Sequence, residues 1–396
     1  MQSQPSPLTP REAVYRILGS LWEPASLPAG EDIPWEGVLQ IVGPSNVVAL
    51  AHVLTEPLRD DMPQDVRNLL KQGFYQTAVS NTRSLRQLGV VGQMLAATGA
   101  PLLLLKGAAL ADTLYPDPAL RLIGDIDVMV PPEWVGACCE RLLAMGYTPT
   151  RVDERPGRLL EATNQIQFAP PRGSPVSVEL HWHLLDVPYY MRRVPVAWFW
   201  EHSESLVIAG HTFRVLDAEA NVLYLAAHLA LHHGFRGLHS LLDLALLIVK
   251  IGARLDWDTV IEAAQRFDLV CALQGTLDHL AEAWPSLPIN APRCRLRRIT
   301  PGRQDARLYR LLTSESRSTT LQFYAGLISM PGLAARMRYI GMHVFPQPAY
   351  MRERYGFTAS WQLPFWYLYR LGDGLRRLAR TIPSARRAQG RKKASP

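Results

Sequence analysis

Cysteine is scarce in this chain. Only Cys138, Cys139, Cys271 and Cys294 occur among 396 residues. None forms a C-x-x-C pair or stands at a matched spacing from histidine, so neither a zinc site built on cysteine nor a disulfide framework is indicated. This fits a reducing compartment, and a cytoplasmic location is expected. The opening residues Met1-Gln2-Ser3-Gln4-Pro5 carry no basic segment followed by an apolar one, so no secretion signal is expected. Long hydrophobic runs are missing as well. The most apolar stretch, Leu238 to Ile251, contains Asp243 and Lys250 and falls short of the roughly 20 residues that a membrane span needs. It reads as a buried helix, and no transmembrane segment is expected.

Acidic residues are absent after Asp373, where eight basic ones follow: Arg376, Arg377, Arg380, Arg386, Arg387, Arg391, Lys392 and Lys393. Removing these eight from the net charge of +7 leaves the remainder at −1. The body is therefore close to neutral, and no diffuse basic surface for duplex nucleic acid is implied. A run of like charge at a chain end is usually solvated, so 374–396 is expected to be a disordered basic tail.

What is present is ordinary globular composition, 48% hydrophobic and 19% charged, in a chain long enough for two or three domains. Apolar residues at three-and-four spacing predict helices over Arg11 to Trp22, Val47 to Leu58 and Gln64 to Thr98. From Pro101 the pattern changes to short apolar or alternating runs: Leu102 to Leu105, Leu122 to Val130, Gln165 to Phe168, Val176 to His183, and a hairpin of Leu206 to Ile208 with Thr212 to Leu216. Helices return after Asp217, a predicted N-cap, over Ala218 to His233, Leu238 to Lys250, Asp256 to Trp284 and Arg303 to Tyr339. The late aromatic and arginine-rich stretch from Tyr350 to Arg370 suits either a cap over a stacked base or a peptide, or helical core, the commoner role for aromatics at helical spacing. The expected fold class is α+β, a small mixed sheet with packed helices over 101–216, flanked by helical regions at 1–100 and 217–373.

The chemistry concentrates in Gly124-Asp125-Ile126-Asp127-Val128-Met129-Val130. Two aspartates at i and i+2 on a strand point to one face, about 7 Å apart by strand rise. Apolar Ile126, Val128 and Val130 take the other. Adjacent carboxylates repel, and desolvation raises their pKa values, so such a pair in an apolar strand calls for a cation. Mg²⁺, or Mn²⁺, takes oxygen ligands and substrate phosphates. Glu179, in Val178-Glu179-Leu180-His181-Trp182-His183, lies on a later strand and shares a face with His181 and His183. Three acids on neighbouring strands suit phosphoryl or nucleotidyl transfer. Lys106-Gly107 follows a buried strand and opens a helix, where free N–H groups favour phosphate. Arg121 is a second phosphate candidate, since a guanidinium pairs two oxygens at once.

At these residues the chain resembles the nucleotidyltransferase superfamily that includes DNA polymerase beta, and more closely the uncharacterised bacterial branch called nucleotidyltransferase family 5. The motifs are Leu105-Lys106-Gly107, Tyr115-Pro116, Arg121-x-x-Gly124-Asp125-Ile126-Asp127 and Glu179-Leu180-His181-Trp182. They continue in Leu223-x-x-x-x-His228, Leu241-Leu242-Asp243-Leu244-Ala245 and Arg354-Tyr355-Gly356. The resemblance implies a polymerase beta-like core and metal ligands at Asp125, Asp127 and Glu179. It also implies nucleotide contacts at Gly107, with Lys106, Arg121 and Gly124 around it. In that superfamily a small residue precedes the turn glycine, where this chain has Lys106, and the turn lies nearer the aspartates. The implied reaction moves a nucleoside monophosphate from a nucleoside triphosphate to the hydroxyl of a small molecule, peptide or protein. A nucleotide-sugar glycosyltransferase also uses Asp-x-Asp but usually lacks the third acid. A binding protein on an inactive version of the fold need not keep acids that repel each other.

His228, His232, His233 and Asp243 form a second polar cluster. His-x-x-x-His without an intervening glutamate is not a metalloprotease signature. Helix packing, or support of the acids by His181, His183, His228 and Asp243, is the simpler role. Asp243, if buried beside the histidines, would orient one of them toward the acceptor.

Overall fold

The computed structural model describes residues 8–150, 163–174, 176–314, 319–346, 348–374 and 376. Most of the basic tail therefore lies outside the described residues. The predicted long helix is present as α4 (Gln64–Ala96), after α1 (Pro10–Gly19), α2 (Trp35–Val42) and α3 (Val48–Leu54). A capping box at Thr9 starts α1: its hydroxyl accepts from the N–H of Glu12, whose carboxylate turns back to Thr9. The inward stripe of α4 runs Val66, Leu70, Thr77, Asn81, Ser84, Leu88, Val91, Leu95. Its three-and-four spacing is the sequence signal that predicts the helix.

Among the described residues seven strands form one mixed sheet in the order β3-β4-β5-β2-β1-β7-β6. They are β1 (Leu103–Leu105), β2 (Asp125–Met129), β3 (Thr148–Pro149), β4 (Gln165–Ala169), β5 (Ser177–His181), β6 (Ser203–Ile208) and β7 (His211–Leu216). Central β2 runs antiparallel to β1 and parallel to β5. The β6–β7 hairpin turns at Ala209 and Gly210, with φ of 50° and 79°, the left-handed pair that matches strand twist.

The two-residue period of the strands deals their side chains to two cores. Leu104, Ile126, Val128, Val178 and Leu180 join Leu88, Val91 and Leu95 of α4 and Cys138 and Leu142 of α6 (Val135–Ala144). Leu103, Leu105 and Met129 face the opposite way, into a core shared with α1, α2, α3 and the later helices, including Ala218–Ala227 and Leu238–Ile251. The N- and C-terminal helical regions thus pack together on one face of the sheet, and the Trp284 indole donates to the Tyr15 carbonyl at 2.8 Å.

Some expectations are corrected. The helix predicted as Ala218 to His233 is α-helical only over Ala218–Ala227, and His228–His232 widens into a π turn. Asp256 to Trp284 is two helices, Trp257–Arg266 and Val270–Ala283, broken where Asp268 takes φ of 58°. Short helices Pro188–Arg193 and Val196–Glu201 carry no clear periodicity and are not predicted. The late aromatics are core only in part: Trp361, Phe365 and Tyr369 are exposed, whereas Phe357 is buried and the half-buried Tyr355 and Trp366 stack on each other. Among the described residues no helix is long and apolar enough to cross a membrane.

Candidate active site

The register of the sheet brings the motifs together. Asp127 of β2 lies between Leu105 of β1 and Glu179 of β5. Asp125 pairs with Ser177, and Met129 with His181. By strand parity Asp125, Asp127, Glu179 and His181 occupy one face, the face turned toward helix Ala218–Ala227. Lys106 is the residue after Leu105, so its backbone leaves the sheet beside Asp127. It does so at φ of 41°, a conformation costly for a residue with a Cβ and one often retained at functional sites.

Asp127 is buried and doubly held. The Lys106 ammonium donates to its Oδ1 at 3.1 Å, and His181 Nε2 lies 2.9 Å from the same oxygen. His181 Nε2 is also 3.5 Å from Glu179 Oε2. The other ring nitrogen of His181, Nδ1, is buried without a hydrogen-bond partner. Asp127, Glu179 and His181 offer ligand atoms within 4.8 Å of one another.

These contacts split the two aspartates electrically. Asp125 is pushed up to about 7, first by the Asp127 charge, then by burial and by Glu179. For Asp127 burial acts in the same raising direction, but Lys106 and His181 overcome it and hold the carboxyl below the usual range. Burial disfavours the Lys106 and His181 charges, and their acidic neighbours nevertheless raise both pKa values.

A pH dependence follows. Between its ordinary 3.8 and about 7, Asp125 binds more protons folded than unfolded, so its contribution to stability falls as pH rises through that window. The stability of Asp125→Asn relative to wild type is expected to be near zero below about pH 4, to grow up to about pH 7 and to level off above. Urea denaturation of both proteins in chelator across this range checks it. A difference independent of pH would contradict the raised pKa.

The other expected residues fall into distinct places. A cavity of about 260 Å³ is lined by Lys106, Gly107, Arg121, Gly124, the three acids, His228 and Asp243, among others. A Cβ on Gly124 would meet nothing within 4 Å, whereas one on Gly107 would lie 3.6 Å from the Asp125 carbonyl oxygen. Arg121 is spent on a buried fork: Nε and Nη2 donate to the two oxygens of Asp243 at 3.2 and 2.7 Å, and Nη1 donates to the Leu122 carbonyl. Asp243 also accepts from the Tyr115 hydroxyl at 2.8 Å. Asp243 thus joins the helix Leu238–Ile251 to the segment before β2, in place of the expected contact with a histidine. His183 is turned away from the acids: its Nδ1 accepts from Leu185 N–H, and its Nε2 donates to the Val194 carbonyl.

One positioning residue escapes the motif reading. Asn81, buried in the middle of α4, donates to the carbonyls of Pro118 and Arg121 at 2.7 and 2.8 Å and accepts from Ile123 N–H at 2.9 Å. It therefore fixes the backbone that delivers Asp125. Its signal in the sequence is an amide on the apolar stripe of a helix, where a polar group must find a partner. Asn81→Leu leaves a buried N–H without an acceptor, and a loss of about 2–3 kcal/mol is expected. A fully stable Asn81→Leu protein in thermal and urea denaturation would refute this role.

The fold and site define an α+β protein with a cleft that gathers three carboxylates and a lysine at the centre of a mixed sheet. Residues 31–285 match the family described as uncharacterised nucleotidyltransferase, and the chain belongs to that family. Among solved structures it is similar to an antigenic nucleotidyltransferase-like protein from Paracoccidioides brasiliensis, at 16% identity, covering 53% of this chain and 92% of that one, with a TM-score of 0.32. The comparison with curated proteins found no match.

Proposed function

We propose that the chain transfers a nucleoside monophosphate from a nucleoside triphosphate to an acceptor hydroxyl, with Mg²⁺ or Mn²⁺ held by Asp125, Asp127 and Glu179. The supporting observation is the pairing of Asp127 with Glu179 across β2 and β5, one pleat from Asp125. The donor set fits a hard divalent ion: Asp127 and Glu179 offer oxygens within 4.8 Å of each other, Asp125 lines the same cavity, and both protein contacts to Asp127 fall on Oδ1. The mutual repulsion that holds Asp125 near 7 is what a cation relieves.

The bound ion would neutralise phosphate charge and polarise the reacting phosphorus–oxygen bonds. Lys106 and Gly107, which open helix α5 (Lys106–Thr113), line the same cavity as the acids, where the ammonium and free N–H groups of a helix start suit phosphate. The acceptor oxygen bonds to the α-phosphorus as the α–β bridging bond breaks, pyrophosphate departs with that electron pair, and Glu179 takes the hydroxyl proton. Acceptors enter through a neighbouring cavity of about 460 Å³, lined by Asn164, Gln165, Gln167, Gln322, Phe323 and Tyr339, among others. His232 lines both this cavity and the one that holds the acids, and Asp186 lines this one beside it.

The test is transfer of label from each of ATP, CTP, GTP and UTP in the presence of Mg²⁺, with cell extract as the source of acceptor. Label at the α-phosphate is expected to pass to the acceptor and label at the γ-phosphate to leave in pyrophosphate. Transfer of the γ-label, or binding of triphosphate unchanged in an Asp125→Asn/Asp127→Asn double variant, would sink the assignment.

A further inference from the structure

Across the cleft from the acids, the chain leaves its α-helix. After Ala227 the ladder widens so that the His233 N–H bonds to the His228 carbonyl at 3.2 Å, and Gly234 and Phe235 then take φ of 57° and 63°. In an α-helix residues i and i+5 point to different sides. An i→i+5 turn brings them back to one side, and such turns recur at functional sites. Here it gathers three imidazoles. His228 and His232 stack with centroids 4.9 Å apart, and His233 meets them edge-on at 4.6 and 5.0 Å. Their ring nitrogens include a set within 4.8 Å of one another. Among the described residues the only other such group of three is Asp127, Glu179 and His181.

We infer that His228, His232 and His233 form a second metal site, a nitrogen-donor site for a transition metal such as Zn²⁺, on the wall opposite the carboxylates. Imidazole suits Zn²⁺ and its neighbours in the series, whereas Mg²⁺ prefers oxygen. Zn–N bonds of about 2.0–2.1 Å in a tetrahedron put the nitrogens about 3.3 Å apart, so rotation of the rings by modest χ changes closes the set. Two further features fit. His232 Nδ1 lies 3.3 Å from Asp186 Oδ2, the carboxylate–histidine arrangement that fixes the tautomer and leaves Nε2 for the ion. His228 and His233 close the set from the two ends of the π turn, with centroids 4.6 Å apart. All three line the same cavity as the acids, and His232 also borders the acceptor cavity. An ion here would lie between nucleotide and acceptor, where it could bind an acceptor group rich in nitrogen, sulfur or oxygen.

The experiment uses full-length protein without a histidine tag, stripped with chelator, and follows Zn²⁺ by calorimetry and Co²⁺ by its visible absorption. One equivalent of Zn²⁺ per chain is expected, with an intense tetrahedral Co²⁺ spectrum, both retained in the Asp125→Asn/Asp127→Asn double variant. His233→Ala and the exposed-site His232→Ala are expected to weaken binding at least about 100-fold, and Asp186→Asn about 10-fold. His232→Ala and Asp186→Asn spare the half-buried His228, so a folding failure at that position does not decide the matter. Zn²⁺ affinity unchanged by the histidine substitutions would overturn the site. Loss of the equivalent in the aspartate variant alone would place the ion on the carboxylates and overturn it equally. Because the readout is binding, failure here leaves the nucleotidyl-transfer reading untouched.

Discussion

Asp125→Asn and Asp127→Asn are expected to produce the same loss of turnover and opposite changes in stability. Each removes an acid from the centre that would hold the divalent ion, and a loss of about 4 kcal/mol of transition-state stabilisation corresponds to about 10³ in rate. Their folding effects diverge because their partners differ. Asp125 is opposed first by Asp127 and then by its own burial and Glu179. Neutralising it in chelator relieves repulsion and is expected to add about 1 kcal/mol, as is common where function holds groups in strain. Asp127 accepts from Lys106 and is bonded to His181, both largely buried. Neutralising it takes from the buried Lys106 ammonium its nearest counter-charge, and a loss of about 3 kcal/mol is expected, the low end for breaking a buried pair because an amide oxygen still accepts and Glu179 remains close by. Urea denaturation at pH near 7 with and without Mg²⁺, beside label-transfer rates, reads both effects. Destabilisation of equal size in the two variants would show that the charges are not divided as the geometry implies.

The second large effect is expected at Arg121 and Asp243. Arg121→Met strands a carboxylate that retains only the Tyr115 hydroxyl, and Asp243→Leu strands a guanidinium whose remaining side-chain bond is to the Leu122 carbonyl. Each is expected to cost about 3–5 kcal/mol, while the double variant Arg121→Met/Asp243→Leu recovers most of the loss, because a buried pair is worth little over apolar packing once both charges are gone. The same experiment separates the two roles open to Arg121. Loss of a guanidinium used for phosphate would raise KM for the triphosphate and leave stability within about 1 kcal/mol of wild type. A guanidinium used to lock helix Leu238–Ile251 to the segment leading into β2 would do the reverse, and the forked geometry favours the lock.

The arginine shows where motif reading stops. From the chain alone, Arg121 near Asp125 is a cation near acids, and a phosphate role is a sound expectation. Its partner is 122 residues away, and no spacing rule connects them. Asn81 is similar: the helix that carries it is evident from its stripe, but the loop it holds lies 37 to 42 residues downstream. His183 shares a strand motif with Glu179 and His181, yet the strand ends at His181. Beyond that point alternation no longer governs direction, and the ring turns to Val194 and Leu185. The π turn was hidden for another reason. The helical pattern through Ala218 to His233 is continuous in its apolar residues, and one extra residue in a turn changes no hydrophobic period over so short a span.

The sequence by itself determined the α+β alternation, the 33-residue helix before the sheet, and the placing of Asp125 and Asp127 on one face of a strand. These follow from local rules: the 3.6 and 2.0 periods, turn residues and the cost of polar groups among apolar ones. Only the tertiary structure decided which strand stands beside β2, and hence that Glu179 lies in register with Asp127 while Lys106 and His181 close on its Oδ1. It also decided that Arg121 is spent on Asp243 and that three histidines face the acids across one cleft. Strand order and buried ion pairing depend on which distant segments desolvate each other, and that choice is made by the packing of the two cores on either face of the sheet.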